Sequence, residues 1–157
     1  MPQRDTIHNL VKQAILKEGW IVTDDPYVIS YGERFLFVDL GATEPEVNSI
    51  EGQFIGAERG NSRIALEIKD FRRQAVITDL ERAIGQYVLY RLLLNKVDPK
   101  REIYLAITDI AYDEIFHEPI GKVVMSDLPL KLLVVDVEKV EVKEWIPPRS
   151  TPKSSNK

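Results

Sequence analysis

Two segments of the chain carry apolar residues at the spacing of an amphipathic helix. The first, predicted from Asp5 to Glu18, places its apolar positions on one face: Ile7, Leu10, Val11, Ala14 and Ile15. The second, predicted from Ala75 to Asn95, is the longest and has a similar stripe along its length. Each helix therefore has one apolar face to bury against another element.

Shorter apolar runs between and after these helices indicate β-strands. Their length and their content of β-branched and aromatic residues are typical of strands. The four strongest are Phe35 to Leu40 (FLFVDL), Arg63 to Lys69 (RIALEIK), Glu102 to Thr108 (EIYLAIT) and Leu132 to Val137 (LLVVDV). Weaker patterns predict strands at Trp20 to Thr23, Tyr27 to Tyr31 and Val140 to Trp145, a long loop over 42–62, and a short helical piece at Ala111 to Phe116. The pattern over 120–127 is ambiguous between a helix and a loop. This order predicts an α/β fold of the α+β type, with a mixed sheet flanked by helices.

The chain length of 157 residues fits one domain, which we place over residues 1–146. Residues 147–157 are rich in Pro, Ser and Lys, and we predict that they form a disordered tail.

The predicted strand RIALEIK carries a glutamate and a lysine where an apolar strand should have neither. Side chains alternate along a strand, so Ile64, Leu66 and Ile68 share one face, while Glu67 and Lys69 share the other. Asp39 ends the preceding strong strand, FLFVDL. If these two strands pair as a hairpin, all three polar side chains converge on one point.

Two carboxylates and a lysine in this arrangement suit the hydrolysis of a phosphodiester with a divalent cation. Asp39 and Glu67 are hard oxygen ligands of the kind that Mg²⁺ or Mn²⁺ accepts, with water completing the coordination. The cation activates a water molecule for attack. Lys69 can orient that water or stabilise the charge that develops on the phosphate. A plainer alternative stays open, because E-x-K also occurs on solvated strand faces and in weak ion pairs.

Other residues can be added to this constellation as candidate substrate contacts. Gln86 and Tyr90 are four residues apart on the long helix and therefore share a face. Arg72 lies between the E-x-K strand and that helix, where it can contact a phosphate, and His8 lies on the polar side of the first helix. For each of them the alternative is an ordinary exposed or packed side chain.

Composition narrows the classes of function. The chain has no cysteine, so disulfides, thiolate metal sites and cysteine nucleophiles are excluded. The net charge is −4, which argues against bulk non-specific binding of nucleic acid and favours a protein partner over bare DNA. We find neither a phosphate-binding glycine loop, nor a dinucleotide motif, nor a serine-hydrolase motif. No segment is apolar enough to span a bilayer and no signal peptide is evident, so we expect a cytoplasmic protein.

The order of Asp39, Glu67-x-Lys69 and Gln86-x-x-x-Tyr90 resembles the PD-(D/E)xK signature of the restriction-endonuclease-like fold. More closely, the chain resembles the XisH family, the fdxN element excision controlling factors of cyanobacteria. The stretches that carry this resemblance are RDTIHNLVKQAILKEGW, TDDP, VDLGA, AERG, IALEIKDF and AIGQYVLYRLLL.

The resemblance implies a four- or five-stranded mixed sheet between helices, with a site at Asp39, Glu67 and Lys69 that is lined by Gln86 and Tyr90. It implies a role in the excision of a DNA element by a site-specific recombinase, with DNA and an XisI-like protein as partners. Endonuclease activity with Mg²⁺ or Mn²⁺ is one expectation. The other is a non-catalytic accessory protein that binds the recombinase or an XisI-like partner. The oligomeric state, including a homo-oligomer, stays open.

Overall fold

Six strands form one mixed sheet, in the order β1-β4-β5-β6-β7-β8. The computed structural model of the chain describes residues 2–44, 62–71 and 73–149. The strands are β1 (Ile21–Asp24), β2 (Tyr27–Tyr31), β3 (Arg34–Val38), β4 (Leu40–Thr43), β5 (Arg63–Ile68), β6 (Arg101–Thr108), β7 (Leu132–Asp136) and β8 (Glu141–Ile146). The central pairs β5–β6 and β6–β7 are parallel, and the outer pairs are antiparallel. Strands β2 and β3 form a separate two-stranded sheet.

Four α-helices lie within the described residues. They are α1 (Pro2–Lys17), α2 (Val76–Val97), α3 (Asp109–Ile115) and α4 (Pro119–Asp127). A short 3₁₀ turn, Arg73–Ala75, leads into α2. No helix in the described part of the chain is both long and apolar enough to cross a membrane.

The two faces of the central strands pack against different helices. On one face, Ile64 and Leu66 of β5 pack in a cluster with Val11 and Ile15 of α1. On the other face, Ala65 packs with residues of α2, among them Tyr87. The alternation predicted for the RIALEIK strand is therefore confirmed, and both faces of β5 contribute to the hydrophobic core.

The predicted strand from Phe35 to Leu40 is wrong, because the chain leaves one sheet and enters another within it. Strand β3 ends at Val38 and pairs with β2, whereas β4 begins at Leu40 and pairs with β5. The carboxylate of Asp39, between them, accepts a hydrogen bond from the backbone N–H of Ile68 at 2.8 Å. The partner of β5 is thus β4, and the FLFV segment belongs to another hairpin.

The remaining elements follow the predictions closely, with three additions or differences. The predicted strands at the ends of the sheet are confirmed, and both join it as edges, so the sheet has six strands rather than the four or five expected. Residues 119–127, whose sequence pattern is ambiguous, are helical. The predicted loop begins later than expected, because β4 runs to Thr43. Residues 45–61 of this loop lie outside the described part of the chain.

The contacts of the fold extend past the predicted domain end at residue 146. The guanidinium of Arg149 donates hydrogen bonds to Glu102 Oε1 at 2.6 Å and to the hydroxyl of Tyr104 at 3.0 Å. Residues 150–157, the rest of the predicted tail, lie outside the described residues.

Candidate functional site

Glu67 and Lys69 stand where β5 ends, on the face of the sheet that packs against α2. Glu67 is only 6% exposed, whereas Lys69 is half-buried. The pairing of β5 with β6 continues past the strand end, because the backbone N–H of Lys69 donates to the carbonyl of Ala106 at 3.0 Å. This bond fixes the backbone that carries both side chains, so their common orientation is set by the pleat.

Asp39 reaches the same place from the neighbouring strand. The register of β4 against β5 pairs Leu40 with Leu66. Because the two strands are antiparallel, the residue before Leu40 lies opposite the residue after Leu66. Asp39 therefore lies beside Glu67. Its hydrogen bond to the N–H of Ile68 holds the carboxylate at this end of β5.

Helix α2 contributes two polar side chains to the cluster. Lys69 Nζ donates to Gln86 Oε1 at 2.7 Å. The hydroxyl of Tyr90 donates a long hydrogen bond, 3.4 Å, to the carbonyl of Phe37. Gln86 and Tyr90 thus face β5 and the end of β3, as their spacing of four residues predicts.

The electrostatic environment of Tyr90 includes both carboxylates of this cluster. Burial raises the pKa of its phenol, and the negative charges of Glu67 and Asp39 raise it further, against a hydrogen bond from Gln86 that lowers it. Both carboxylates are therefore within electrostatic reach of one hydroxyl. Tyr90 stays neutral near pH 7 and can donate a hydrogen bond.

The structure therefore brings together five of the seven predicted site residues: Asp39, Glu67, Lys69, Gln86 and Tyr90. Arg72 lies outside the described residues.

His8 is not brought to this cluster. Its imidazole hydrogen-bonds to Asp25 at 2.9 Å, on the side of α1, which packs against the opposite face of the sheet. Lys12 contacts the other oxygen of Asp25 at 2.8 Å. Although burial alone would raise it, the hydrogen bond and charge of Lys12 and the neighbouring His8 hold the pKa of Asp25 below its usual value. His8 is therefore part of a local contact with Asp25 and Lys12, away from Glu67.

Comparison with known proteins places the chain in a family. A sequence model of the XisH protein matches residues 1–143. The chain belongs to the XisH family. A solved structure of an fdxN element excision controlling factor protein from Anabaena variabilis is 34% identical, with 90% of this chain and 98% of that chain covered and a TM-score of 0.75. An XisH family protein from Nostoc punctiforme PCC 73102 is 30% identical over 89% of this chain and 98% of its own, also with a TM-score of 0.75. No curated protein matches the chain.

The donor set of this XisH protein fits a magnesium ion. In the described residues no three His, Cys, Asp or Glu side chains gather into a metal-binding group. Mg²⁺ needs only one or two carboxylates, since it retains several waters. Glu67 at the end of β5 and Asp39 just before β4 are two such carboxylates, and they are the residues that would hold an ion there.

Sequence reasoning missed a second polar cluster of the XisH protein, at the opposite end of β5. There, the carboxylate of Asp98 forms an ion pair with Arg63. It also accepts hydrogen bonds from the Nε of Arg101 at 2.9 Å and from the hydroxyl of Tyr27 at 3.2 Å. The guanidinium of Arg101 also lies 4.2 Å from the centre of the Tyr27 ring and donates to the carbonyl of Ile64. These residues come from four separate elements or loops, and no spacing along the chain indicates that they meet.

Proposed function

We propose that this XisH protein is an excision controlling factor that acts on DNA through a magnesium-dependent site of the PD-(D/E)xK type. The proposal includes a restriction-endonuclease-like core and hydrolysis of a phosphodiester. It rests on one observation above all: Asp39, Glu67 and Lys69 lie at one end of β5 with Gln86 and Tyr90. The relative from Anabaena variabilis, an fdxN element excision controlling factor, supports the biological context.

Each side chain has a role that its surroundings support. Asp39 and Glu67 would hold the cation; when bound, Mg²⁺ polarises the phosphate and activates water. Lys69 carries the positive charge that would stabilise the phosphate in the transition state. Gln86 holds the lysine ammonium at 2.7 Å and so orients it. Tyr90, kept neutral by burial and by the neighbouring carboxylates, would donate a hydrogen bond to a phosphate oxygen.

A nicking assay on supercoiled plasmid tests this function. We expect nicking by the wild type with Mg²⁺ or Mn²⁺ and none with EDTA. Glu67→Gln and Lys69→Ala should each lower the rate by about 100-fold or more, as the loss of a group that stabilises the transition state does. Lys96→Ala is the matched control, because Lys96 is exposed in the last turn of α2, and it should nick like the wild type. No nicking by the wild type, or equal nicking by wild type and Lys69→Ala, would remove the proposed activity.

A second candidate function is a non-catalytic accessory role in excision, through an XisI-like protein or the recombinase. The observation that favours it is an apolar face of the β2–β3 hairpin, where Phe35 is 66% and Phe37 is 59% exposed beside Val28. Exposed apolar patches often mark protein-binding surfaces. The net charge of −4 also favours a protein partner.

Co-purification with an XisI-like protein distinguishes the two functions. If the accessory role holds, Phe35→Ser with Phe37→Ser should lose the partner while Glu67→Gln retains it, and the wild type should not nick DNA. Retention of the partner by the hairpin variant would contradict this surface as the contact.

A further inference from the structure

The outward face of helix α2 carries apolar residues in its middle and opposite charges at its two ends. Five residues at helical spacing form this face, which we call the outer stripe: Glu81, Gly85, Leu89, Leu92 and Lys96. All five are exposed, Leu89 by 45% and Leu92 by 54%. A helix face in contact with solvent is normally polar along its length. The middle of the outer stripe is instead suited to contact with a partner.

Gly85 leaves an open recess in the outer stripe. A Cβ at this position would meet nothing within 4 Å. Packing within the described fold therefore does not require a glycine there, although glycine destabilises the inside of a helix relative to alanine. The missing side chain lets a residue of another helix approach the backbone closely, as a knob that fills a hole.

The two ends of the outer stripe carry opposite charges at equal distances from its middle. Glu81 precedes Gly85 by four residues, and Lys96 follows Leu92 by four residues. A two-fold axis between residues 88 and 89 therefore places Glu81 opposite Lys96 of a second copy, and it places Gly85 opposite Leu92 of that copy. A parallel pair of helices would instead place Glu81 against Glu81 and Lys96 against Lys96. The charges thus complement an antiparallel second copy of α2.

We propose that the outer stripe of α2 is the contact surface of a homodimer in which the two α2 helices pack antiparallel. Leu92 of each copy packs beside Gly85 of the other, and the two Leu89 side chains meet near the two-fold axis. A contact between one pair of helices is small beside the roughly 1,200–2,000 Å² of a standard stable interface, so the dimer is weak and forms at micromolar or higher concentrations.

This contact is separate from the proposed nuclease site. Gln86 and Tyr90 lie on the side of α2 that faces β5, whereas the outer stripe is exposed. A nick in one DNA strand needs one Glu67 cluster, so a monomer can make it. Lys96→Ala should therefore nick at the wild-type rate whether or not it dimerises, and the two proposals fail independently.

Sedimentation velocity of the full chain at low ionic strength tests the dimer. We expect the wild type to change from monomer to dimer as the protein concentration rises. Leu89→Ser/Leu92→Ser should raise the dissociation constant about tenfold or more, because it removes the apolar middle of the outer stripe. Ile120→Ser/Val123→Ser is the matched control. These two residues are 44% and 55% exposed on α4 at the same spacing of three, and their double variant should dimerise like the wild type.

Charge reversal at the ends of the outer stripe tests the antiparallel register. Glu81→Lys and Lys96→Glu should each weaken the dimer about tenfold or more, since each turns two ion pairs into two like-charge contacts. The double variant Glu81→Lys/Lys96→Glu should restore the wild-type dissociation constant, because it exchanges the charges of both partners. A wild type that stays monomeric at millimolar concentration would overturn the proposal and leave the outer stripe as a surface for a different protein. Equal dimerisation by the two serine variants, or a double charge variant as weak as the single ones, would also overturn it.

Discussion

The two ends of strand β5 both carry clusters of charged residues, but the clusters are built differently. Where the strand starts, Arg63 and Arg101 both form ion pairs with the carboxylate of Asp98. Where the strand ends, Glu67 and Asp39 lie near the neutral hydroxyl of Tyr90, and the ammonium of Lys69 donates to the amide oxygen of Gln86.

If the proposed function holds, this difference separates a cluster that stabilises the fold from one that binds a cation. Arg101 is 8% exposed and stacks on an aromatic ring, so its ion pair is part of the packed structure. Glu67 is also buried, yet a wholly structural role would be served better by an apolar residue, because burying a carboxylate is costly. In the proposed function, a cation bound at this end of β5 would offset part of that cost.

Arg101→Ala should give the largest loss of stability. It removes the stack on Tyr27 and the bond to Ile64, and it leaves Asp98 with less compensation for its burial. We expect the free energy of unfolding to fall by about 3 kcal/mol. Urea unfolding followed by circular dichroism measures it. A loss below about 1 kcal/mol would show that this cluster is not what stabilises the start of β5.

Two glycine substitutions should change stability in opposite directions. A Cβ at Gly41 would lie 3.1 Å from Tyr27 Cδ1, 3.2 Å from Asp24 Oδ2 and 3.3 Å from Arg101 Nη1, whereas one at Gly85 would meet nothing within 4 Å. Gly41→Ala should therefore cost about 1–2 kcal/mol. Gly85→Ala, in the middle of α2, should stabilise by about 0.5–1 kcal/mol. Thermal melting of both variants checks the pair, and a neutral Gly41→Ala would mean that this cluster can shift.

Acid should weaken the cluster at the start of β5. Although burial alone would raise it, hydrogen bonds from Arg101 and Arg63 hold the pKa of Asp98 below its usual value of 3.8. A carboxyl whose pKa is lowered by folding stabilises the protein above its usual pKa. That stability is lost as the pH falls through the lowered pKa. Asp98→Asn should therefore have a lower melting temperature than the wild type at pH 7. On acidification to pH 3, its melting temperature should fall by less than that of the wild type. Equal losses of melting temperature would contradict this.

Lys69→Met should have the smallest effect on stability. The lysine is half-buried and makes one hydrogen bond, to Gln86, so we expect a loss of about 0.5–1 kcal/mol in urea unfolding. The same variant should abolish nicking. A loss as large as that of Arg101→Ala would make Lys69 a structural residue and erase the contrast between the two ends.

The sequence predicts which polar side chains meet at the end of β5 better than it predicts the strands around them. Alternation places Glu67 and Lys69 together, and helical spacing places Gln86 above Tyr90, because both are local rules of geometry. The break at Asp39 is not local. Phe35 and Phe37 alternate like buried residues although they are exposed, and the break depends on a hydrogen bond to Ile68, 29 residues away. The hydrogen bond from Arg149 to Glu102 joins residues 47 positions apart, so local sequence patterns do not predict it either.

The central claim is that Asp39 and Glu67 share one divalent cation, and anomalous diffraction from a crystal soaked in Mn²⁺ tests it most directly. We predict one strong peak at the end of β5, within about 2.5 Å of a carboxylate oxygen of each residue, and no such peak in Glu67→Gln. A saturating soak with no peak there, or with a peak that touches only one of the two carboxylates, would contradict the claim.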